Sequence, residues 1–129
     1  MYLDKNVELS ELVGKTIKEI TGLKKGSDEV RFIMDDGNTY LFCHYQGCCE
    51  SVDLNDFDVS AKSLDGGKIL SAEEVTNVDD GDKPGDFAQN WTWTFYKIET
   101  DKGGIWMRWL GESNGYYSES VDLVWENKP

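Results

Sequence analysis

Three groups of residues carry side chains that do chemistry. The first is Cys43-His44-Tyr45-Gln46-Gly47-Cys48-Cys49-Glu50, which holds all three thiols and the chain's one imidazole. Zinc favours such donors in a tetrahedron. However, Cys43 and His44 point to opposite faces of a strand, the adjacent Cys48 and Cys49 diverge, and structural zinc sites usually draw on separated pairs. No metal site is expected. A reversal at Gln46-Gly47 would bring Cys48 toward His44 and offer a nucleophile with a base. The competing reading makes the cysteines small buried hydrophobes, with His44 satisfied by a neighbour. No catalytic residue is assigned.

The second group is the run from Trp106-Met107-Arg108-Trp109-Leu110 through Ser113-Asn114-Gly115-Tyr116-Tyr117 to Glu119. Aromatic rings beside a guanidinium, an amide and hydroxyls suit a planar phosphorylated ligand: the rings stack on the base and Arg108 pairs with phosphate oxygens. The candidate ligand-binding set is Arg108, Trp109, Asn114, Tyr116 and Tyr117, joined by His44 and Gln46 from the first group. In the structural alternative the indoles fill the core and Arg108 pairs with Glu119 across a hairpin. No base, nucleophile or carboxylate cluster accompanies the run, so it would hold a ligand without cleaving it. The third group comprises the acidic pairs Asp35-Asp36, Glu73-Glu74 and Asp79-Asp80. These would suit magnesium or a glycosidase only if they converged, and neighbours on a strand point apart, so a solvated face is expected.

The elements that must position these residues read mostly as strands. Residues 7–13 place Leu9, Leu12 and Val13 at the spacing of a helical turn or two, ended by Gly14. Residues 30–34 and 39–42 are strands joined by Asp35-Asp36-Gly37-Asn38, a tight hairpin signal. Leu54, Phe57, Ala61 and Leu64 are spaced by three, four and three residues, which predicts a short amphipathic helix over 53–64. A strand over 68–78 and an acidic loop over 79–86 follow. Trp91, Trp93 and Phe95 alternate with Thr92, Thr94 and Tyr96, which predicts a strand with its bulky face on the core. Ile105, Met107 and Trp109 share one face of the next strand, with Trp106, Arg108 and Leu110 on the other. Ser113-Asn114-Gly115 predicts a second hairpin, leading into a strand over 117–125. The expected architecture is α+β: a mostly antiparallel sheet of about seven strands with one or two short helices, forming one domain over residues 1–129.

Composition narrows the function classes. The chain has 129 residues with 25 acidic against 13 basic side chains, a net charge of −12, and its only arginines are Arg31 and Arg108. Direct nucleic-acid binding, which rests on clustered Lys and Arg, is not expected. The charge instead favours approach to a basic partner. No apolar stretch approaches the roughly 20 residues of a membrane helix, and residues Met1 to Lys5 lack an export pattern. With three cysteines, two of them adjacent, a reducing cytoplasm is expected. A chain of this size can build a core without a cofactor, and none is expected.

Several motifs together resemble a known family. They are Leu12-Val13-Gly14-Lys15-x-Ile17, then His44-x-Gln46-x-Cys48-Cys49-Glu50-x-Val52, then Trp91-Thr92-Trp93-Thr94-Phe95-Tyr96, and finally Arg108-Trp109-x-Gly111-x-Ser113-Asn114-Gly115-Tyr116-Tyr117-Ser118-Glu119. They run over nearly the whole chain and resemble small proteins of tailed bacteriophages and prophages that carry a domain of unknown function. Gly47 stands where the family usually has aspartate. The resemblance implies a phage accessory protein acting in the host bacterial cytoplasm, a role that often means counter-defence. Two routes suit the residues. In one, the aromatic cluster sequesters a small nucleotide-type immune signal uncleaved, in a pocket of one chain or one shared within a homo-oligomer. In the other, the acidic surface acts as a nucleic-acid mimic or docks on a basic host defence protein such as a nuclease. An enzyme that cleaves the signal would have only His44, Cys48 and Glu50 to work with.

Overall fold

The computed structural model describes residues 5–44, 51–78, 90–113 and 119–126. They form strands β1 (Lys5–Asn6), β2 (Ile17–Thr21), β3 (Val30–Met34), β4 (Thr39–Cys43), β5 (Ser51–Val59), β6 (Ile69–Val78), β7 (Asn90–Thr100), β8 (Gly103–Ser113) and β9 (Asp122–Glu126), with a 3-10 turn at Leu9–Leu12. Two antiparallel sheets result, one in the order β1-β9-β4-β3-β2 and one in the order β5-β8-β7-β6. A single apolar cluster lies between them. It draws Phe32, Phe42 and Leu123 from the first sheet and Leu54, Tyr96, Met107 and Trp109 from the second. Phe42 sits against both Phe32 and Tyr96, with ring centroids 5.4 and 4.8 Å apart, so aromatic contacts tie the layers together.

This β-sandwich corrects the α+β expectation: the only helical element among the described residues is the four-residue 3-10 turn. The predicted helix over 53–64 is mostly β5. Its register against β8 runs Leu54 to Trp109 and then Asp56 to Arg108, so a bulge takes up the extra residue Asn55. Val52 and Leu54 face inward before the bulge, Phe57 and Val59 after it. The bulge therefore creates the three-residue step from Leu54 to Phe57, which imitates a helical period. Leu64 is buried at the end of the sandwich where residues 60–68 cross the β7–β8 turn, with Ser60 N–H donating to Gly104 O at 2.9 Å.

The first hairpin forms as the sequence predicts. Gly37 adopts φ 91° and the Asp36 carboxylate accepts the Asn38 N–H at 2.9 Å. The second predicted turn, at Asn114-Gly115, lies outside the described residues; among those described, β9 pairs with β1 and β4 and not with β8, both of whose edges are occupied by β5 and β7. The β7 faces are also reversed relative to expectation. Thr92, Thr94, Tyr96 and Ile98 turn inward, whereas Phe95 is exposed.

Candidate functional site

Arg108 and Trp109 are neighbours on β8 and therefore point to opposite sides. Trp109 is wholly enclosed in the core, opposite Leu54 and Thr94. Arg108 lies on the outer side, half-buried, opposite Asp56 and Phe95. Its Nε and Nη2 both donate to the Asn55 Oδ1, at 3.1 and 2.5 Å. Its guanidinium carbon stands 4.6 Å from the centroid of the Trp93 ring. The bulge that disguised β5 thus supplies the residue that holds Arg108 beside the Trp93 ring. The expected pairing with Glu119 is not observed: the Glu119 carboxylate accepts the Thr92 hydroxyl at 2.7 Å and the Ser113 hydroxyl on its other oxygen.

Residues opposite one another in an antiparallel pair share a face, so the register maps the whole outer side of this sheet. Trp106 and Lys97 share it with Asp58, while Phe95 and Val75 share it with Arg108. Trp106 is 40%, Phe95 36% and Val75 56% exposed, an unusual concentration of large apolar groups in water. Around them stand the carboxylates of Asp53, Asp56, Asp58, Glu73, Glu99 and Glu112. Lys97 is 3.7 Å from Glu99, and Lys25 reaches Asp56 at 3.6 Å. Burial, reinforced by the nearby Asp28, holds the Asp53 carboxyl above the usual range. Sequence reasoning identified Arg108 but missed Asn55, Phe95 and this acidic rim. The rim's signal was the run Asp53, Asp56, Asp58, hidden when the segment is read as a helix.

Of the other predicted ligand residues, His44 is described and Gln46, Asn114, Tyr116 and Tyr117 lie outside the described residues, as do Cys48, Cys49 and Glu50. The His44 Nδ1 is 2.7 Å from the Ser120 carbonyl oxygen. A carbonyl only accepts, so Nδ1 carries the proton. This bond brings the His44 strand end beside the close of the Arg108 motif, at one end of the sandwich and away from the Arg108 side chain's outer face. Gly111 secures that junction, because a Cβ there would overlap the Glu119 carbonyl and come within 2.8 Å of its Cβ. Cys43 is buried with Leu41 and Val124. Burial first, then the charge of Asp122, pushes its thiol up to about 12, which leaves it protonated at neutral pH. Among the described residues no group of three or more His, Cys, Asp or Glu is placed to hold a metal. Nor is any helix among them long and apolar enough to cross a membrane.

The fold and this face define a class: a two-sheet antiparallel β-sandwich with an aromatic, acid-rimmed outer sheet. The chain belongs to the family described as a domain of unknown function, DUF7448, whose model matches residues 10–123. No curated protein and no solved structure matches the chain.

Proposed function

We propose that this chain is a binding protein whose outer four-stranded face docks on a basic macromolecular partner. The observation that carries the reading is the coincidence on one face of exposed Trp106, Phe95 and Val75 with a rim of aspartates and glutamates. Aromatic groups at the centre supply most of an interface's affinity, and charge at its edge steers and selects. The setting rests on the motif resemblance to tailed-phage proteins: an accessory protein in the cytoplasm of an infected bacterium, blocking a basic defence protein such as a nuclease. The test is capture of bacterial proteins at ~50 mM and ~500 mM salt, because exposed charges are screened within about 3–10 Å over the range 0.1–1 M. Support requires capture that falls with salt and is lost in both Trp106→Ala and Asp58→Lys. Proteins retained equally by these variants would overturn the reading.

One observation favours the second reading, sequestration of a small nucleotide-type signal: Arg108 is held by Asn55 within 4.6 Å of the Trp93 ring centroid, so a guanidinium and an indole stand together, as a planar phosphorylated ligand would require. The carboxylates of Asp53, Asp56 and Asp58 oppose an anion there. Mass spectrometry of small molecules released by heating protein purified from infected cells decides this reading. A nucleotide found with the wild type and absent with Arg108→Ala supports it, and no nucleotide ends it.

A further inference from the structure

A recess lies between the inner side of the β6–β7 pair and the chain running from β1 into the 3-10 turn. Its volume is about 400 Å³, within the range of small-ligand pockets. Val7, Leu9 and Leu123 give it aliphatic walls, and Glu8, Glu74 and Asp122 bring carboxylates to it. Tyr96 also lines it, with only 2% of its surface exposed. Tyr96 stands directly opposite Glu74 in the β6–β7 pairing, and both line the recess. A phenol can donate to one group and still accept a hydrogen bond on its oxygen, whereas a carboxylate only accepts. Burial first, then Glu74 and Asp122, push the phenol upward, which keeps it neutral and places both negative charges close to it. Among the described residues no lysine or arginine lines the recess.

We propose that this recess binds a primary alkylammonium group on a short aliphatic stem. An ammonium has three donors and no acceptor, and the recess offers it the Glu74 carboxylate and the Tyr96 phenolic oxygen. The stem lies along Val7, Leu9 and Leu123, as lysine stems lie on apolar surface with the charged head among oxygens. An anion is excluded by the three carboxylates. A fully apolar ligand would cover the Tyr96 oxygen without offering it a donor. Two sources carry this chemistry, a free diamine and the side chain of a lysine in another chain. The site shares no residue with the outer face, so either assignment can fail without the other.

The experiment is titration of the intact protein with butane-1,4-diamine and, in parallel, with Nα-acetyl-lysine amide, followed by amide chemical shifts. Butanol and tetramethylammonium serve as controls. We expect saturable shifts centred on residues 7–9, 74, 96 and 121–123, with neither control reproducing them. Binding by the diamine identifies a free amine as sufficient, and binding by the lysine amide alone points to a partner's side chain. Glu74→Gln, at an exposed position, is expected to weaken binding at least tenfold, and Leu9→Trp, which fills the recess, to abolish it. Thermal melts confirm that the variants fold. Shifts spread over the whole acidic surface, equal shifts with tetramethylammonium, or binding unchanged in Glu74→Gln would overturn the proposal.

Discussion

Trp109 is enclosed by the core, yet its indole N–H has no hydrogen-bond partner among the described residues. A buried unpaired donor costs about 1–3 kcal/mol, while the ring's apolar surface and packing stabilise the sandwich. The two contributions separate in variants. Trp109→Phe removes the donor together with part of the volume and is expected to change unfolding stability by less than about 1 kcal/mol, as read by urea denaturation. Trp109→Ala leaves a large cavity and is expected to cost about 3–5 kcal/mol. Loss of any binding in Trp109→Ala would therefore report a lost fold, whereas Arg108→Ala probes the surface directly. The same scale governs Cys43. With its thiol held near 12 and its side chain buried, alkylation at pH 8.5, followed by peptide mass mapping, is expected to be at least tenfold slower at Cys43 than at the same site in denaturant. Equal rates would show that the thiol is accessible and ionised.

At the scale of elements, the sheet depends on places where regular alternation breaks. Gly111 permits the close approach of Glu119 to β8, and Gly111→Ala is expected to destabilise the protein by about 2 kcal/mol or more, because the overlap is with backbone and cannot be relieved by a rotamer change. The bulge at Asn55 is a second such place, and it explains what the sequence concealed. Alternation shows that two faces exist but not which one is buried: in β7 the rings of Trp93 and Phe95 look like core, yet the inward set is Thr94, Tyr96 and Ile98. A single extra residue in β5 converts strand spacing into apparent helical spacing. By contrast, the turn at Asp36-Gly37 was legible because its requirements are local, a positive φ and a side chain that accepts the Asn38 amide. The pairing of β9 with β4, and of β5 with β8, is set by contacts far apart in sequence, so no local pattern reveals it. Arg108 was legible as a candidate for the same local reason, whereas its clamp Asn55 lies 53 residues away.

For the molecule as a whole, the net charge of −12 means that folding brings like charges together, and this repulsion opposes the compact state. Protons relieve it. Asp53, held above its ordinary value by burial and Asp28, binds its proton more tightly folded than unfolded, so its effect on stability improves as pH falls toward its folded value and is lost as pH rises through it. Asp36 acts in the opposite direction. The Asn38 amide and then Lys15 hold its carboxyl below 3.8, so the stability it contributes is present above that value and disappears as pH falls through its folded value. The repulsion and Asp53 therefore favour mild acid, and Asp36 sets a limit below about pH 4. At ~10 mM salt the melting temperature is expected to rise from pH 7.5 to about pH 5 and then fall below pH 4. Adding ~0.3 M sodium chloride should raise the pH 7.5 value and flatten the rise, because screening replaces protonation as the relief. A profile that is flat between pH 7.5 and 5 at low salt would show that the folded molecule spaces its carboxylates widely enough to avoid the repulsion, and would weaken the case for a concentrated acidic rim on the four-stranded face.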